Sequence, residues 1–480
     1  MHFTLSSADS QSGTRRGWVV WVSILLVVLL AALGGALALI SYNNRQIEVQ
    51  PAPAVERAAS PVTAARSSLA DDTLAAKVTA AMDGATADTG FGQLHAVVSD
   101  ATTGARLWGK DDSVVAMPAS SLKILTAAAA LLGIDDDHRV ETKVLRYGES
   151  KDVVIQGAGD PTLSANGDGF FHDAASVADL AAKVRAAMPD GVGKVYVDTS
   201  LFPETFHSTW EKQGLADGYV ADVEPAMIDA GRIDPKEENS PRSATPAEDI
   251  ASVLAAQLGT EAGGNVADGV ALPAVEPTVV ASVQSAPLHT RLRDMMLYSD
   301  NVLAESIARE LAVARNLPPT FAGAATAVRD TLAEHGFGLD GAILADSSGL
   351  STDNRVTPKH LSEVLTAAAG PGSGQEASES GGDSGETEEK KAAVTDALRP
   401  LLDCLPVAGV SGTLADRFGN SSGAGLVRAK TGTLNKASAL AGYVVTKSGQ
   451  VLSFVMLSNE ASLLPARAAA DKAASALADI

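Results

Sequence analysis

The longest apolar run lies near the N-terminus, where residues 17–40 carry no charged side chain. About 20 apolar residues suffice to span a bilayer as a helix. A cleavable signal has a shorter apolar core, about 7–15 residues, with a small-residue cleavage site after it. Here Ala36-Leu37-Ala38 lies inside the run, and Leu39, Ile40 and Tyr42 follow. The pattern therefore predicts an uncleaved transmembrane anchor over residues 17–41. Arg15 and Arg16 precede it, which makes residues 1–16 a cytoplasmic tail and puts the bulk of this single-pass protein outside the cell membrane. Residues 42–72, rich in Pro, Ala, Ser and Arg without a sustained period, read as a linker.

Beyond the linker the periods change. Residues 73–82 repeat apolar positions at helical spacing, and residues 93–99 alternate as a strand that turns through Asp100-Ala101-Thr102-Thr103-Gly104 into residues 105–108. The far end mirrors this: residues 437–446 and 451–458 are apolar strands joined around Ser448-Gly449, and an Ala-rich helix runs over 465–480. Strands at both ends and helical patterns between them predict one sandwich of sheet and helices with material inserted in its middle. Residues 371–391 are mostly Gly, Ser and Glu with Ala377 as the one aliphatic residue before the lysines, a composition that predicts a disordered loop over 370–392.

Composition removes several function classes. A formal charge of −21 argues against a phosphate backbone as ligand, so no nucleic acid partner is expected. The single cysteine, Cys404, excludes a disulfide framework, and eight scattered histidines offer no metal-ligand spacing. No metal or organic cofactor is expected.

Three short motifs carry candidate chemistry. Ser120 and Lys123 open an Ala-rich helix three positions apart, so the lysine amine can reach the hydroxyl. A serine hydroxyl needs an adjacent base, and a lysine that is desolvated and set near another cation loses its proton readily. Ser299-Asp300-Asn301 precedes a helical pattern, and both Ser299 and Asn301 face a cleft if the tripeptide is extended. Lys430-Thr431-Gly432-Thr433 precedes the strand at 437–446, where an extended peptide can pair with the sheet edge. In this setting Lys430 and Thr433 bind a carboxylate, and Gly432 admits the substrate backbone. The order SxxK, SDN, KTG resembles the active-site signature of β-lactamases and penicillin-binding proteins.

The spacing narrows the resemblance. Ser120 and Ser299 are 179 positions apart, Ser299 and Lys430 131. Class A β-lactamases place the first two motifs much closer and carry a deacylating Glu-x-x-Leu-Asn motif that is missing between Asn301 and Lys430. The chain instead resembles the class C low-molecular-mass penicillin-binding proteins, the D-alanyl-D-alanine carboxypeptidase/endopeptidase family. It shares their segments Gly157-Ala158-Gly159-Asp160-Pro161-Thr162-Leu163, Val197-Asp198-Thr199-Ser200, Asp346-Ser347-Ser348-Gly349-Leu350-Ser351 and Leu405-Pro406-Val407-Ala408-Gly409. The first of these reads as a tight turn at a strand edge.

The resemblance implies an α+β penicillin-binding, β-lactamase-like transpeptidase fold, an antiparallel sheet flanked by helices, formed by 73–140 and 277–480. A smaller inserted domain is expected over 141–276. It implies a serine-type D-Ala-D-Ala carboxypeptidase, with possible endopeptidase activity, that trims peptidoglycan stem peptides through an acyl-enzyme on Ser120 and is acylated by β-lactams. By the same resemblance Lys123 is the base, Ser299 and Lys430 relay the proton, and Asn301 orients substrate and Lys123. Thr431, Gly432 and Thr433 with Lys430 bind the substrate's carboxylate end. Asp217 is the candidate for the acidic residue that holds a diaminopimelate side chain in some relatives. Two alternatives share the motifs: a β-lactamase, and a catalytically weak, membrane-tethered peptidoglycan-binding protein. Gly419-Asn420-Ser421-Ser422-Gly423 fits a nucleophile-elbow pattern, which needs a strand before it and a helix after it, but Ala424-Gly425-Leu426-Val427 leads instead toward KTG, and it reads as a flexible turn. His95, His138, His360 and Cys404 read as structural.

Overall fold

The computed structural model describes residues 72–87, 89–373 and 385–480. The expected tail, anchor and most of the linker lie outside them. Among the described residues no helix is long and apolar enough to cross a membrane. The chain divides into two units, Met1–Thr63 and Ala64–Ile480, and all described residues belong to the second.

The helix Asp72–Thr86 leads into β1 (Gln93–Asp100) and β2 (Arg106–Lys110). A second set of strands follows: β3 (Glu141–Tyr147), β4 (Val153–Gln156), β5 (Asp160–Leu163), β6 (Lys194–Asp198), β7 (Ala226–Ile228), β8 (Glu261–Asn265) and β9 (Pro277–Gln284). The chain closes with β10 (Val427–Leu434), β11 (Ala437–Val445), β12 (Val451–Asn459) and the helix Leu463–Ala478. The first sheet has the order β10-β11-β12-β1-β2, so the two ends of the chain meet side by side. Its β1–β12 pairing runs from Gln93↔Asn459 to Asp100↔Leu452. Its apolar face is covered by the helices Asp72–Thr86 and Leu463–Ala478, around Val78, Met82, Phe454 and Leu477. The helix Pro358–Ala369 packs on β1 and β12, and Lys123–Gly133, Asn301–Ala314 and Phe321–Glu334 form a mutually packed layer.

A second five-stranded sheet, β8-β6-β4-β3-β9, is inserted between β2 and β10, with Val177–Ala187 and Pro246–Leu258 against it. Residues 277–284, at the start of the segment 277–480 that the resemblance assigns to the peptidase domain, form β9, which pairs with β3 along its length, from Glu141↔Gln284 to Tyr147↔Pro277. The chain leaves and returns side by side, where Ser285 N donates to Val140 O at 2.8 Å. Of the expected disordered loop, residues 374–384 lie outside the described residues. From Gly385 the expectation fails: Gly385–Leu398 is a helix. Its Glu, Lys and Ala side chains favour that state, and burial of Thr395 and Leu398 holds its second half in place.

Candidate active site

The nucleophile segment sits between a strained turn and a close backbone contact. Ala119 has φ +47°, a left-handed conformation that a residue with a Cβ seldom adopts. Ser120 follows in the short 3₁₀ turn Ala119–Leu122. The hydroxyl of Ser121, not of Ser120, donates to Pro118 O at 2.7 Å. Ser120 Oγ is thus not spent as a helix cap. It accepts from Lys123 Nζ at 3.1 Å.

Lys123 is fully buried. Its ammonium also donates to Asn301 Oδ1 at 2.6 Å and to Ser348 O at 2.7 Å. Burial pushes its pKa down to about 8 against the opposing charges of Asp346, Glu305 and Asp300. An amine so placed is close to losing its proton at neutral pH, as a base for Ser120 must.

The SDN tripeptide is not extended. Ser299 has φ +56°, Asp300 caps the next helix by accepting from Leu303 N at 2.8 Å, and Asn301 is the first residue of Asn301–Ala314. The physical reason is Asp300. Its carboxylate is fully buried against Arg232 at 2.8 Å and Arg242 at 3.7 Å, which fixes the helix start. Burial alone would raise that carboxyl, but the two guanidiniums hold it below its ordinary value. The turn still delivers both side chains. Asn301 reaches Lys123, and Ser299 Oγ accepts from Lys430 Nζ at 2.8 Å. Asn301 Nδ2 donates to Tyr219 O at 2.8 Å, so its amide is fixed from both ends.

Lys430 is fully buried on β10 and also donates to Thr431 O at 2.8 Å. Its pKa is pushed well below the ordinary value, first by burial and then by the charge of Lys123. For Lys123 as well, burial is the cause that lowers it. Gly432 is also explained differently. A Cβ there would meet Pro118 O at 2.8 Å and Ala119 Cβ at 3.0 Å, so the glycine lets the nucleophile turn pack on β10. Thr431 Oγ1 donates to Thr413 Oγ1 at 2.8 Å. Exposed Thr433 accepts from Arg467 at 2.9 Å. The strand β10 is the edge of its sheet. Residues 406–408 bond its outer side at Val427 and Ala429, upstream of the KTG motif.

Several contributors escape sequence reasoning. Glu305 accepts from Ser347 N at 3.0 Å and Ser348 N at 2.7 Å, and so holds the turn whose Ser348 carbonyl meets Lys123. It lies four positions after Asn301, on the same helix face, and that spacing is the signal that could have found it. Asp346 ties the adjacent turn by accepting from Gly349 N at 2.8 Å, Ser351 N at 2.6 Å and Trp210 Nε1 at 2.8 Å. Arg232, Arg242, Thr413 and Arg467 come from distant segments and carry no local signal. Asp217 is exposed and accepts from Gln213 Nε2 at 3.0 Å, two residues before Tyr219. Asp160 behaves as the turn residue expected, accepting from Thr162 N at 2.9 Å. Ser421 lies in a turn with its Oγ accepting from Ser475 Oγ at 3.0 Å. His360 forms a capping box with Thr357. Cys404 is buried, its thiol pushed up to about 12 mainly by that burial.

The arrangement is two serine–lysine pairs, Ser120 with Lys123 and Ser299 with Lys430, and Asn301 fixes the first of them. It can remove a proton from Ser120, pass one through Ser299, and present an open strand edge to a peptide. The family model of the D-Ala-D-Ala carboxypeptidase 3 (S13) family matches residues 78–241, 235–382 and 389–479. A carboxypeptidase of Mycobacterium tuberculosis, Rv3627c, is 44% identical over 81% of this chain and 80% of its own length. Carboxypeptidase DacB of Mycolicibacterium smegmatis is 40% identical over 93% of this chain and 94% of its own. Penicillin-binding protein 4 of Haemophilus influenzae superposes with a TM-score of 0.62 at 22% identity, covering 84% of this chain and 97% of that one, which establishes the penicillin-binding fold. With the fold, the motif geometry and the relatives in agreement, this chain belongs to the D-Ala-D-Ala carboxypeptidase 3 (S13) family.

Proposed function

We propose that the chain is a serine-type D-Ala-D-Ala carboxypeptidase that acts on peptidoglycan stem peptides and uses Ser120 as nucleophile. The observation that carries this reading is the buried Lys123 amine, 3.1 Å from Ser120 Oγ and 2.6 Å from Asn301 Oδ1. Ser120 Oγ attacks the carbonyl of the penultimate D-alanine while its proton passes to neutral Lys123. The backbone N–H groups of Ser120 and Thr433 receive the oxyanion. As the tetrahedral intermediate collapses, the C–N bond breaks. The leaving amine takes a proton relayed from Lys123 through Lys430 and Ser299, and D-alanine departs. Water then attacks the ester, Lys123 accepts its proton, and Ser120 is regenerated with the shortened peptide released.

The depressed lysines give substrate a part in this cycle. In the free site burial pushes both amines below their ordinary value. A carboxylate arriving at the KTG strand favours charged Lys430 and leaves Lys123 as the neutral base. Thr431 and Thr433 hold that carboxylate, and Gly432 keeps strand and nucleophile turn together. Asp217 supports a role in binding the side-chain amine of the stem peptide, because its loop also carries the Tyr219 carbonyl that holds Asn301. The first sheet with its helices serves as the peptidase domain and the β3–β9 sheet as an inserted one. Residues 17–41, by their uncharged length behind Arg15 and Arg16, anchor the chain with the peptidase outside. Release of full-length protein from membranes by alkaline carbonate would overturn that anchor.

The catalytic reading is tested by mass spectrometry after incubation with penicillin. One adduct is expected, mapped to Ser120 and lost in Ser120→Ala. A label on Ser421, or turnover without any adduct, would refute the assignment. A β-lactamase would instead hydrolyse penicillin continuously.

A further inference from the structure

Arg467 lies outside all three motifs, in the second turn of the C-terminal helix Leu463–Ala478. That helix packs against β10 and β11, and the Arg467 guanidinium donates to Thr433 Oγ1 at 2.9 Å. Thr433 is the exposed end of the KTG segment, so the guanidinium meets it where the strand opens to solvent. We propose that Arg467 is a specificity residue: its guanidinium pairs with the free C-terminal carboxylate of the peptide laid along β10 and makes the site prefer acid over amide termini.

The helix leaves this cation without a carboxylate. The acid one turn later, Asp471, is taken by Arg417, whose Nε and terminal nitrogen donate to its two oxygens at 3.2 and 2.5 Å. Among the described residues Arg467 forms no ion pair, and Thr433 is the side chain its guanidinium donates to. Its remaining N–H groups keep the planar fork that suits a carboxylate. Burial and then the charge of Arg417 lower its pKa, which Asp471, held by Arg417, only partly offsets.

The two lysines explain why a third cation is needed. Lys430 is buried and its amine already donates to Ser299 Oγ and Thr431 O at 2.8 Å, so it is committed inside the site rather than at the strand's outer end. A guanidinium stays protonated across the working pH range even when partly desolvated. Arg467 thus supplies permanent positive charge at the strand's outer end, and Lys430 remains free to move a proton through Ser299. The division of labour rests on the carboxypeptidase reading above.

The test compares the full chain with Arg467→Gln and Arg467→Lys on an acylated L-lysyl-D-alanyl-D-alanine and on its C-terminal amide. Wild type should prefer the free acid. Arg467→Gln should lower kcat/KM for the acid by about 10–100-fold, mainly through KM, as for loss of one charge-assisted contact. The amide should lose much less, so that the acid-to-amide ratio narrows, and Arg467→Lys should restore part of it. An equal loss on both substrates would mean that Arg467 only supports the helix, and an unchanged ratio would likewise overturn the proposal. Wild type that cleaves neither substrate and shows no adduct on Ser120 would defeat the carboxypeptidase reading itself, a failure distinguishable from the first two.

Discussion

The two five-stranded sheets meet different demands. The first is antiparallel at every pairing, with a tight β11–β12 connection and apolar packing against helices. The second mixes antiparallel β3–β4 and β3–β9 with parallel β4–β6 and β6–β8, so it needs the crossover helices Val177–Ala187 and Pro246–Leu258. The first sheet and the layer beside it carry Ser120, Lys123, Ser299, Asn301 and Lys430. The inserted segment sends different groups: the Tyr219 carbonyl to Asn301, and Arg232 and Arg242 to Asp300. Reactive groups therefore stand on one side, and the other holds the middle motif in place. A motif residue fixed by buried charge from a distant segment cannot drift without exposing that charge.

The comparison breaks first at the lysines. Lys123→Arg should slow acylation by about 10²–10⁴-fold, because a guanidinium cannot accept the serine proton. Lys430→Arg keeps a cation at the strand and should lose less, mainly in substrate affinity and proton relay. Acylation of wild type should rise as pH passes through about 8, where Lys123 loses its proton. The measurement is acylation rate against pH for all three proteins. Equal damage from the two substitutions would mean that the base is on the wrong lysine, and the division between the two regions would lose its reactive half.

The same asymmetry governs what could be read from sequence. Motif residues follow one another within a few positions, and local spacing sufficed to bring Ser120 and Lys123 within reach of each other. The terminal strands were legible because alternation and turn residues act locally, and β1, β11 and β12 fall within a residue or two of the expected bounds. The partner of β9 was not, because whether a strand pairs with β3 or with the first sheet is decided by a register its own residues do not encode. The shape of SDN was missed for a related reason. A left-handed serine and a capping aspartate follow from Arg232, which is 68 positions away in the chain. The helix Gly385–Leu398 shows the opposite error, in which a polar composition concealed good helix formers with two buried anchors.

The holding half of the comparison is tested at Arg232. Its guanidinium and the Asp300 carboxylate are each about 1% exposed. Removal of one partner from such a pair typically costs about 3–5 kcal/mol, because the remaining charge is left buried. Arg232→Met should therefore lower stability by about that amount in urea unfolding, with Arg242 as a partial substitute at 3.7 Å. Adding Asp300→Asn should recover only part of the stability, since the buried Arg242 guanidinium then loses its carboxylate. Recovery of stability without recovery of acylation is the expected pattern, because Asn301 would still lose the fixed helix start. A single Arg232→Met protein as stable as wild type would show that the inserted segment does not clamp the motif.

The smallest effect separates position from charge at Glu305. This residue is buried, and its carboxyl is raised to about 7, mainly by that burial and then by Asp346, against Arg309 and two backbone donors. Lys123 faces Asp346, Glu305 and Asp300, all of which favour its charged form. As Glu305 ionises it therefore makes Lys123 harder to deprotonate, and the rise of acylation with pH is spread over a broad range. Glu305→Gln keeps an oxygen for the Ser347 and Ser348 N–H groups but removes the charge. Lys123 should then lose its proton at lower pH, so the rising limb moves down and steepens toward a single titration. The plateau should fall about 2–10-fold, because a neutral amide holds the 347–348 peptide less firmly than a carboxylate does. A limb that stays in place while the plateau falls would leave Glu305 with positioning alone. A limb that moves to higher pH would contradict the charge argument outright.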